Sequence, residues 1–217
     1  MKKLLYKEFK LSASVLSYVF VAASFLTFVP GYPILLGAFF TTLGIFYSFQ
    51  TMRGNSDIQY SLLLPVAKAD IVGGKYLFVM IIEACSFVLM TAITLLRMLY
   101  LKNAGAYTEN ELMCANLTFL GFALLIFGLF NYVFVCGFFK TAYYFDKPFI
   151  TYCVVSFIVI AAAETLHHIP GLESFNAFGF DRPVLQAVAL FVGVLAFAAF
   201  TGLGYVRSVK RFENTDL

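Results

Sequence analysis

The chain has 217 residues, of which 61% are hydrophobic and only 12% are charged, and its net charge is +3. Soluble proteins contain about 45–50% apolar and about 25% charged residues, so lipid rather than water must surround most of this surface. The weak positive charge does not indicate nucleic-acid binding, and no segment between the apolar runs is long enough for a soluble domain. The composition predicts an integral membrane protein with no nucleic-acid partner and no catalytic domain.

Six apolar runs are long enough to cross about 30 Å of hydrocarbon as helices. They cover residues 12–29, 34–52, 75–99, 113–138, 148–168 and 183–206. Lipid cannot satisfy open backbone groups, and no alternating strands of about ten residues occur, so a β-barrel is excluded. The sequence therefore predicts an all-α fold, a single transmembrane domain of six helices over residues 1–217.

The first basic residues begin an amphipathic segment over residues 1–11. Lys3, Lys7 and Lys10 recur at helical spacing, and Leu5 and Phe9 lie four residues apart. This pattern is typical of a short helix in the headgroup plane, although a simple basic flank would have the same charges. An 18-residue apolar run without a cleavage pattern follows, which predicts an anchor that is retained rather than a signal peptide.

The distribution of charge predicts the orientation. Most of the 15 basic residues lie before span one, between spans two and three, between spans four and five, and after span six. Cytoplasmic loops carry the excess of lysine and arginine, so both termini are predicted to be cytoplasmic. The basic residues on the other side are Arg97, Lys102 and Arg182, and the acidic residues there are Glu109, Glu111, Glu173 and Asp181.

Two smaller features complete the predicted bundle. The outer segment 169–182 is too apolar for a solvated loop, which predicts a re-entrant or interfacial helix whose backbone must be covered by protein. Gly37 and Gly44, like Gly121 and Gly128, lie seven residues apart and therefore share one helix face. Such pairs favour close packing of helices.

The longest inner connection, residues 53–74, contains a second amphipathic stretch. Ser56 or Asp57 is a suitable helix cap, and Ile58, Leu62 and Leu63 would then form one apolar side up to Pro65. An apolar side too short to cross the membrane must be buried against headgroups or a partner protein. An ordinary loop tucked against the bundle is the alternative.

This connection resembles the permease subunits of ABC transporters of the type-2, exporter class. The resemblance covers the whole chain by topology and about 20 residues by motif. The matching residues are Asp57, Ser61-Leu62-Leu63-Leu64-Pro65-Val66, Lys68, Asp70-Ile71-Val72 and Lys75-Tyr76.

The resemblance implies that the connection between spans two and three docks on an ATPase subunit. The stretch 57–64 would be a cytoplasmic coupling helix, and residues 1–11 would be an elbow helix parallel to the membrane. The implied ATPase contacts are Asp57, Ile58, Tyr60, Ser61, Leu62, Leu63 and Lys68, with a second contact at Tyr143, Tyr144 and Asp146.

The chain itself is not expected to bind ATP. Val72-Gly73-Gly74-Lys75 resembles the end of a phosphate-binding loop, but residue 76 is Tyr instead of Ser or Thr, and residue 69 is Ala where the first Gly is needed. We therefore expect no cofactor in this chain, and ATP and Mg on the separate ATPase subunit.

Short permeases without a large outer domain are similar to exporters of amphipathic peptides such as phenol-soluble modulins and bacteriocins. The resemblance implies a bacterial plasma-membrane exporter that pairs with a second permease, a copy or a sister, and moves hydrophobic or amphipathic cargo by alternating access. Spans two and five would line the pathway. The pathway candidates are Phe39, Phe40, Phe46, Phe49, Phe149, Tyr152 and Phe157, and the intramembrane Glu83 is a further candidate.

Two other functions fit parts of the sequence. A six-helix substrate-binding subunit of an uptake system has a similar length, and an intramembrane enzyme could use the cluster Glu164, His167 and His168. A Glu three residues before a His places both on one helix face, as in metal sites of helix bundles. A second ligand set is missing from the sequence, so no metal site is predicted.

Overall fold

The computed structural model describes residues 2–101, 104–108 and 112–215. Lys102, Glu109 and Glu111, which belong to the predicted charge distribution, lie outside the described residues. The described part of the chain contains helices and no strand. The all-α prediction is therefore confirmed.

Eight main helices make up the described fold. They are α1 (Lys2–Ser12), α2 (Val15–Phe28), α3 (Leu36–Gly54), α4 (Asp57–Leu62), α5 (Lys68–Tyr100), α6 (Leu117–Phe138), α7 (Asp146–Thr165) and α8 (Pro183–Glu213). Three are irregular: α1 ends in a π-helical turn, Glu8–Ser12, the second part of α2 is a 3₁₀-helix, Phe20–Phe28, and α6 contains a π-helical segment, Phe130–Val135.

Among the described helices, α5, α6, α7 and α8 are long and apolar enough to cross a membrane. The pair α1 and α2 is bent by 98° and adds a fifth candidate if it forms one span. The second predicted span corresponds to α3, a 19-residue helix with buried hydroxyl groups at Thr41, Thr42 and Ser48. The protein is a multi-pass membrane protein with four or five candidate spans in its described part, and the count of six stays a prediction.

Helix α6 lies at the centre of the bundle. It packs along α8 and also contacts α3, α5 and α7, while α7 and α8 turn most of their side chains outward. The backbones approach closely where glycines occur: a methyl group built on Gly121 would lie 2.6 Å from the carbonyl oxygen of Ala189, and one on Gly44 would lie 2.7 Å from Phe20. Close packing at the predicted glycine faces is confirmed.

Gly193 of α8 provides a direct test of this packing. A Cβ atom there would lie 2.5 Å from the Cα atom of Gly121, whose backbone cannot move without shifting α6. We expect Gly193→Val to lower the free energy of unfolding by about 3 kcal/mol, the upper range for overpacking. The control is Gly202→Val on the same helix, because no atom lies within 4 Å of a Cβ there. Equal melting temperatures for the two variants would contradict the predicted α6–α8 contact.

The apolar segment after α7 forms two short helical turns, Leu166–His168 and Glu173–Asn176. Buried amide side chains cover its backbone: Asn116 donates to the carbonyl oxygens of Phe175 and Ala177, and Gln186 donates to those of Ala177 and Gly179. The backbone of this segment is thus covered by protein, as predicted: by Gln186 of α8 and by Asn116, the residue before α6. The segment contains short turns rather than one continuous helix.

Candidate functional site

The predicted coupling segment folds as the short helix α4 between α3 and α5. Ser56 has a φ of +51°, and this left-handed residue reverses the chain between α3 and α4. Of the two predicted caps, Ser56 lies at the N-cap position, but its side chain makes no capping hydrogen bond. Helix α4 ends at Leu62, two residues before the predicted end, and Pro65 follows within one turn. A residue before proline is sterically disfavoured in the helical conformation, which explains an early end.

Four charged side chains from three segments meet behind α4, and we call them the buried ion cluster: Lys7, Glu8, Asp57 and Lys75. The Lys7 Nζ atom donates to both carboxylate oxygens of Asp57, at 2.9 and 3.0 Å, and lies 3.1 Å from Glu8 Oε1. The Lys75 Nζ atom donates to Glu8 Oε2 and to Asp57 Oδ2. The cluster therefore joins α1, α4 and the first part of α5.

The buried ion cluster is neutral and largely shielded from water. The Lys75 side chain is 0% exposed, and the side chains of Glu8 and Asp57 are 2% and 10% exposed. Each carboxylate contacts both ammonium groups, and Lys7 also donates to Ser61 Oγ at 2.6 Å. Buried charges are tolerated when they are paired and hydrogen-bonded, while removal of one partner is strongly destabilising. The cluster is therefore a fixed linkage rather than a loose surface contact.

The contacts shift the pKa values of Asp57 and Lys7 in opposite directions. Burial alone would raise the pKa of Asp57, but the ammonium groups of Lys75 and Lys7 outweigh burial and hold that pKa below its ordinary value of 3.8. Burial alone would lower the pKa of Lys7, but Glu8 and Asp57 outweigh it and raise that pKa above 10.5. Both groups are therefore charged over the whole neutral range.

These shifts predict how stability depends on pH. The lowered pKa of Asp57 contributes stability that is fully present above pH 3.8. This stability is lost as the pH falls through the pKa of Asp57 in the folded state. The raised pKa of Lys7 contributes stability below 10.5 that is lost as the pH rises through the folded-state value. We expect the melting temperature of Asp57→Asn to lie below that of the unaltered chain by a constant amount near neutral pH. The difference should shrink as the pH falls below 3.8, and a difference that closes near neutral pH would contradict the ion pairing.

The residues of α4 divide between an inner and an outer side. Asp57, Ile58 and Ser61 are buried, while Tyr60 is 66% exposed and Leu63, just after the helix, is 81% exposed. The sequence-based prediction that Leu63 shares the apolar side of Ile58 is therefore wrong. The side of α4 that is free of the bundle carries an aromatic and an aliphatic side chain.

The other predicted ATPase contacts lie at the same end of the bundle but in different places. Tyr143 lines a small cleft with residues of α4, and Arg53 lies over its ring, 5.5 Å from the centroid. Tyr144 and Asp146 line a different cavity, between α6, α7 and α8. Lys68 donates to the backbone carbonyl of Thr215 at 2.9 Å, so it holds the C-terminal segment. Leu62 is half-buried against the core.

The predicted pathway aromatics mostly pack inside the bundle between α3, α6 and α7. The rings of Phe46 and Phe149 stack 3.7 Å apart, and Thr42 shares a hydrogen bond of 2.7 Å with Tyr152. The side chains of this group that are buried are Phe39, Phe46, Phe49 and Tyr152, and those that are partly buried are Phe40 and Phe149. Phe157 is exposed, at 49%.

An open apolar groove runs along the outward side of α7, with a volume of about 620 Å³. Of the predicted pathway residues, only Phe149 and Phe157 belong to its lining. The full lining is Phe149, Ile150, Cys153, Val154, Phe157, Ile158 and Ala161. A groove without charged side chains suits lipid, an apolar cargo or another helix.

Glu83, a buried carboxyl group inside the predicted span 75–99, has a hydrogen-bond partner on another helix. Asn131 Nδ2 donates to Glu83 Oε2 at 2.9 Å and also to Thr201 Oγ1 at 3.1 Å. Asn131 lies in the π-helical segment of α6, and its carbonyl oxygen accepts a hydrogen bond from Tyr76. This polar contact joins α5, α6 and α8 in the interior of the bundle.

Glu164 has a structural contact, since its Oε2 atom accepts a hydrogen bond from the backbone N–H of Met113 at 2.8 Å. The side chain of His167 lies outside the described part of the protein. Among the described residues, no group of three His, Cys, Asp or Glu side chains could hold a metal ion. Nothing in this geometry favours the enzyme alternative.

Comparison with protein families decides the class. The family model of the ABC-2 family transporter protein matches residues 3–213. The chain belongs to the ABC-2 transporter family. The predicted resemblance to a type-2 permease is thereby confirmed, and membership points to a transport subunit of an ABC transporter rather than an enzyme. The chain matches none of the curated proteins and none of the solved structures.

Sequence patterns do not reveal the partners of Asp57 in this ABC-2 permease. They place Lys7 and Glu8 in a basic flank and Lys75 at the start of a span, without a link to Asp57. One residue does indicate the cluster, because Glu8 is acidic in an otherwise basic amphipathic segment. If its carboxylate is buried, it needs a cation as a partner. Asn131 gives no such signal, because it is a single amide in an apolar run.

Proposed function

We propose that this chain is the membrane subunit of an ATP-driven exporter of hydrophobic or amphipathic molecules, with peptides as the first candidates. The buried ion cluster is the observation that supports energy coupling, because it ties α4 rigidly to α1 and α5. A separate ABC ATPase subunit binds ATP and Mg and docks on the exposed side of α4. Its movement then reaches the transmembrane helices through the cluster.

The bend of 98° between α1 and α2 supports the elbow role of α1. If α2 runs along the membrane normal, α1 lies in the membrane plane at the end of the bundle that carries both termini. Lys7 contacts α4, and Lys68 contacts the C-terminal segment, which supports two termini at the same end of the bundle. The positive-inside rule assigns that end to the cytoplasm.

The groove on α7 supports pairing with a second permease, either another copy or a sister subunit. The apolar outward face of α7, with Phe149 and Phe157, is suited to line an apolar pathway between two permeases. The aromatics buried behind it, Phe46 and Tyr152, support that wall from α3 and α7. Alternating access then requires the two permeases to move relative to each other at this face.

Transport into sealed vesicles tests the proposal. The permease is co-expressed with its ABC ATPase subunit and reconstituted into proteoliposomes, with the ATPase outside. We expect a fluorescent amphipathic helical peptide to accumulate inside when Mg-ATP is added, and no accumulation with an ATPase that binds but does not hydrolyse ATP. A failure of the two subunits to co-purify, or equal uptake with and without ATP hydrolysis, would refute the proposal.

A further inference from the structure

A second cavity, which we call the basic cavity, opens at the end of the bundle that carries both termini. Its volume is about 780 Å³, and it lies between the terminal parts of α6, α7 and α8. Its lining is Tyr132, Val133, Cys136, Gly137, Lys140, Thr141, Tyr144, Asp146, Lys147, Pro148, Thr151, Arg207 and Arg211. Tyr144 and Asp146 in this lining are also predicted ATPase contacts, but no residue of α4 lines the cavity.

Four cations converge on the basic cavity from three sides. Lys140 follows α6, Lys147 lies in the first turn of α7, and Arg207 and Arg211 lie one turn apart on α8. Asp146 is the only acidic residue in the lining. No ion pair between described residues involves any of the four cations. Four cations against one carboxylate give the lining an excess of positive charge.

The two arginines are held in place by neutral groups. The Arg207 guanidinium lies 5.1 Å from the ring centroid of Tyr132, and Arg211 Nη1 donates to the carbonyl oxygen of Cys136 at 2.8 Å. Neither contact consumes the charge of the guanidinium, so each arginine stays able to bind an anion. Planar guanidinium groups match phosphate oxygens in geometry.

The depth of these cations corresponds to the headgroup layer. Lys147 precedes the predicted span 148–168 by one residue, and Arg207 follows the predicted span 183–206 directly. Helices α7 and α8 both pack on the π-helical segment of α6 but hardly touch each other. Within the predicted spans next to the cavity, both helices expose apolar side chains, among them Ile150 and Val154 of α7 and Leu203 and Val206 of α8. A ligand with an anionic head and apolar tails matches this arrangement.

We propose that the basic cavity binds the phosphate headgroup of an anionic phospholipid from the same leaflet, with its acyl chains along the exposed apolar sides of α7 and α8. Basic pockets between transmembrane helices on the cytoplasmic side are suited to such headgroups. The lipid supplies the negative charge that the protein lacks here and fixes α7, which carries the apolar groove, relative to α8. This binding site is distinct from the cargo pathway and does not depend on the export proposal.

The absence of tryptophan from the chain makes the test direct. Thr151→Trp places a single fluorophore in the exposed lining of the cavity, and Val15→Trp places one at an exposed position near the start of α2. Quenching by phosphatidylglycerol with brominated acyl chains is compared with quenching by the matching phosphatidylcholine, with the purified full-length chain in detergent micelles. We expect tighter binding of phosphatidylglycerol at the Thr151→Trp reporter and no preference at the Val15→Trp reporter.

Charge removal identifies the cations responsible. In the Thr151→Trp background, Lys147→Gln with Arg207→Gln should weaken phosphatidylglycerol binding roughly 30-fold, which corresponds to about 1 kcal/mol for each cation. The matched control is Lys3→Gln with Lys210→Gln, which removes two exposed cations from the same end of the bundle but outside the cavity. We expect that control to bind like the unaltered reporter.

Three results would overturn the proposal. Equal quenching by the two lipids would mean that the cavity does not select an anionic headgroup. An equal loss in the Lys3→Gln, Lys210→Gln control would assign the effect to the general surface charge. Displacement of the lipid by millimolar inorganic phosphate alone would assign the cavity to a soluble anion instead of a lipid.

Discussion

Replacing Lys75 by methionine is expected to destabilise the protein by about 3–5 kcal/mol, the cost of breaking a buried ion pair by removing one partner. The Lys75 Nζ atom contacts Glu8 and Asp57, and its side chain is fully buried. Without it, two buried carboxylates share the single ammonium group of Lys7. The melting temperature of the purified subunit, followed by the loss of a monodisperse peak after heating, measures the effect.

Two further variants separate charge from packing. Lys68→Met removes a lysine at the start of the same helix, whose partners among the described residues are backbone carbonyls and the ring of Phe212, and should have a small effect. Adding Glu8→Gln to Lys75→Met leaves Lys7 and Asp57 as a neutral pair, so this double variant should regain much of the lost stability. A double variant no more stable than Lys75→Met would show that unbalanced charge is not the cause.

The membrane character of the chain is predictable because a helix of about 20 apolar residues matches the thickness of the hydrocarbon layer. Helix α3 shows where this signal weakens. Its hydroxyl groups at Thr41, Thr42 and Ser48 lower its hydropathy, but they face protein rather than lipid and form hydrogen bonds. A helix buried among other helices does not need an apolar surface toward lipid. Its mean hydropathy is therefore lower than that of a helix that faces lipid.

The location of the coupling segment is predictable from the sequence, but its internal contacts are not. Sequence patterns report neighbours three or four residues apart on one helix. Asp57 instead pairs with Lys7, 50 residues earlier, and with Lys75, 18 residues later. Nothing in a single sequence specifies which of the many lysines meets this carboxylate. The predicted contact of Asp57 with the ATPase stays a prediction. In this structure the side chain of Asp57 is buried.

Tyr60→Asp combined with Leu63→Asp is expected to weaken binding of the ATPase subunit at least roughly 30-fold while leaving the melting temperature of the permease unchanged. Both side chains are exposed on the outer side of α4. Buried aromatic anchors of an interface typically contribute about 2 kcal/mol or more, which is roughly 30-fold in affinity. Two carboxylates in a desolvated contact add a further cost. The measurements are co-purification of the complex and its ATP turnover.

Tyr100→Asp is the matched control, because Tyr100 is 81% exposed at the opposite end of α5, far from α4. It should leave both the complex and the ATP turnover unchanged. An intact complex with the Tyr60 and Leu63 variant would mean that the ATPase docks elsewhere at this end of the bundle. The Lys75→Met, Glu8→Gln variant tests the transmission of movement separately, because it keeps the outer side of α4 intact. If that variant binds the ATPase normally but no longer transports cargo, the contacts of Lys75 with Glu8 and Asp57 transmit the movement of α4 to α5.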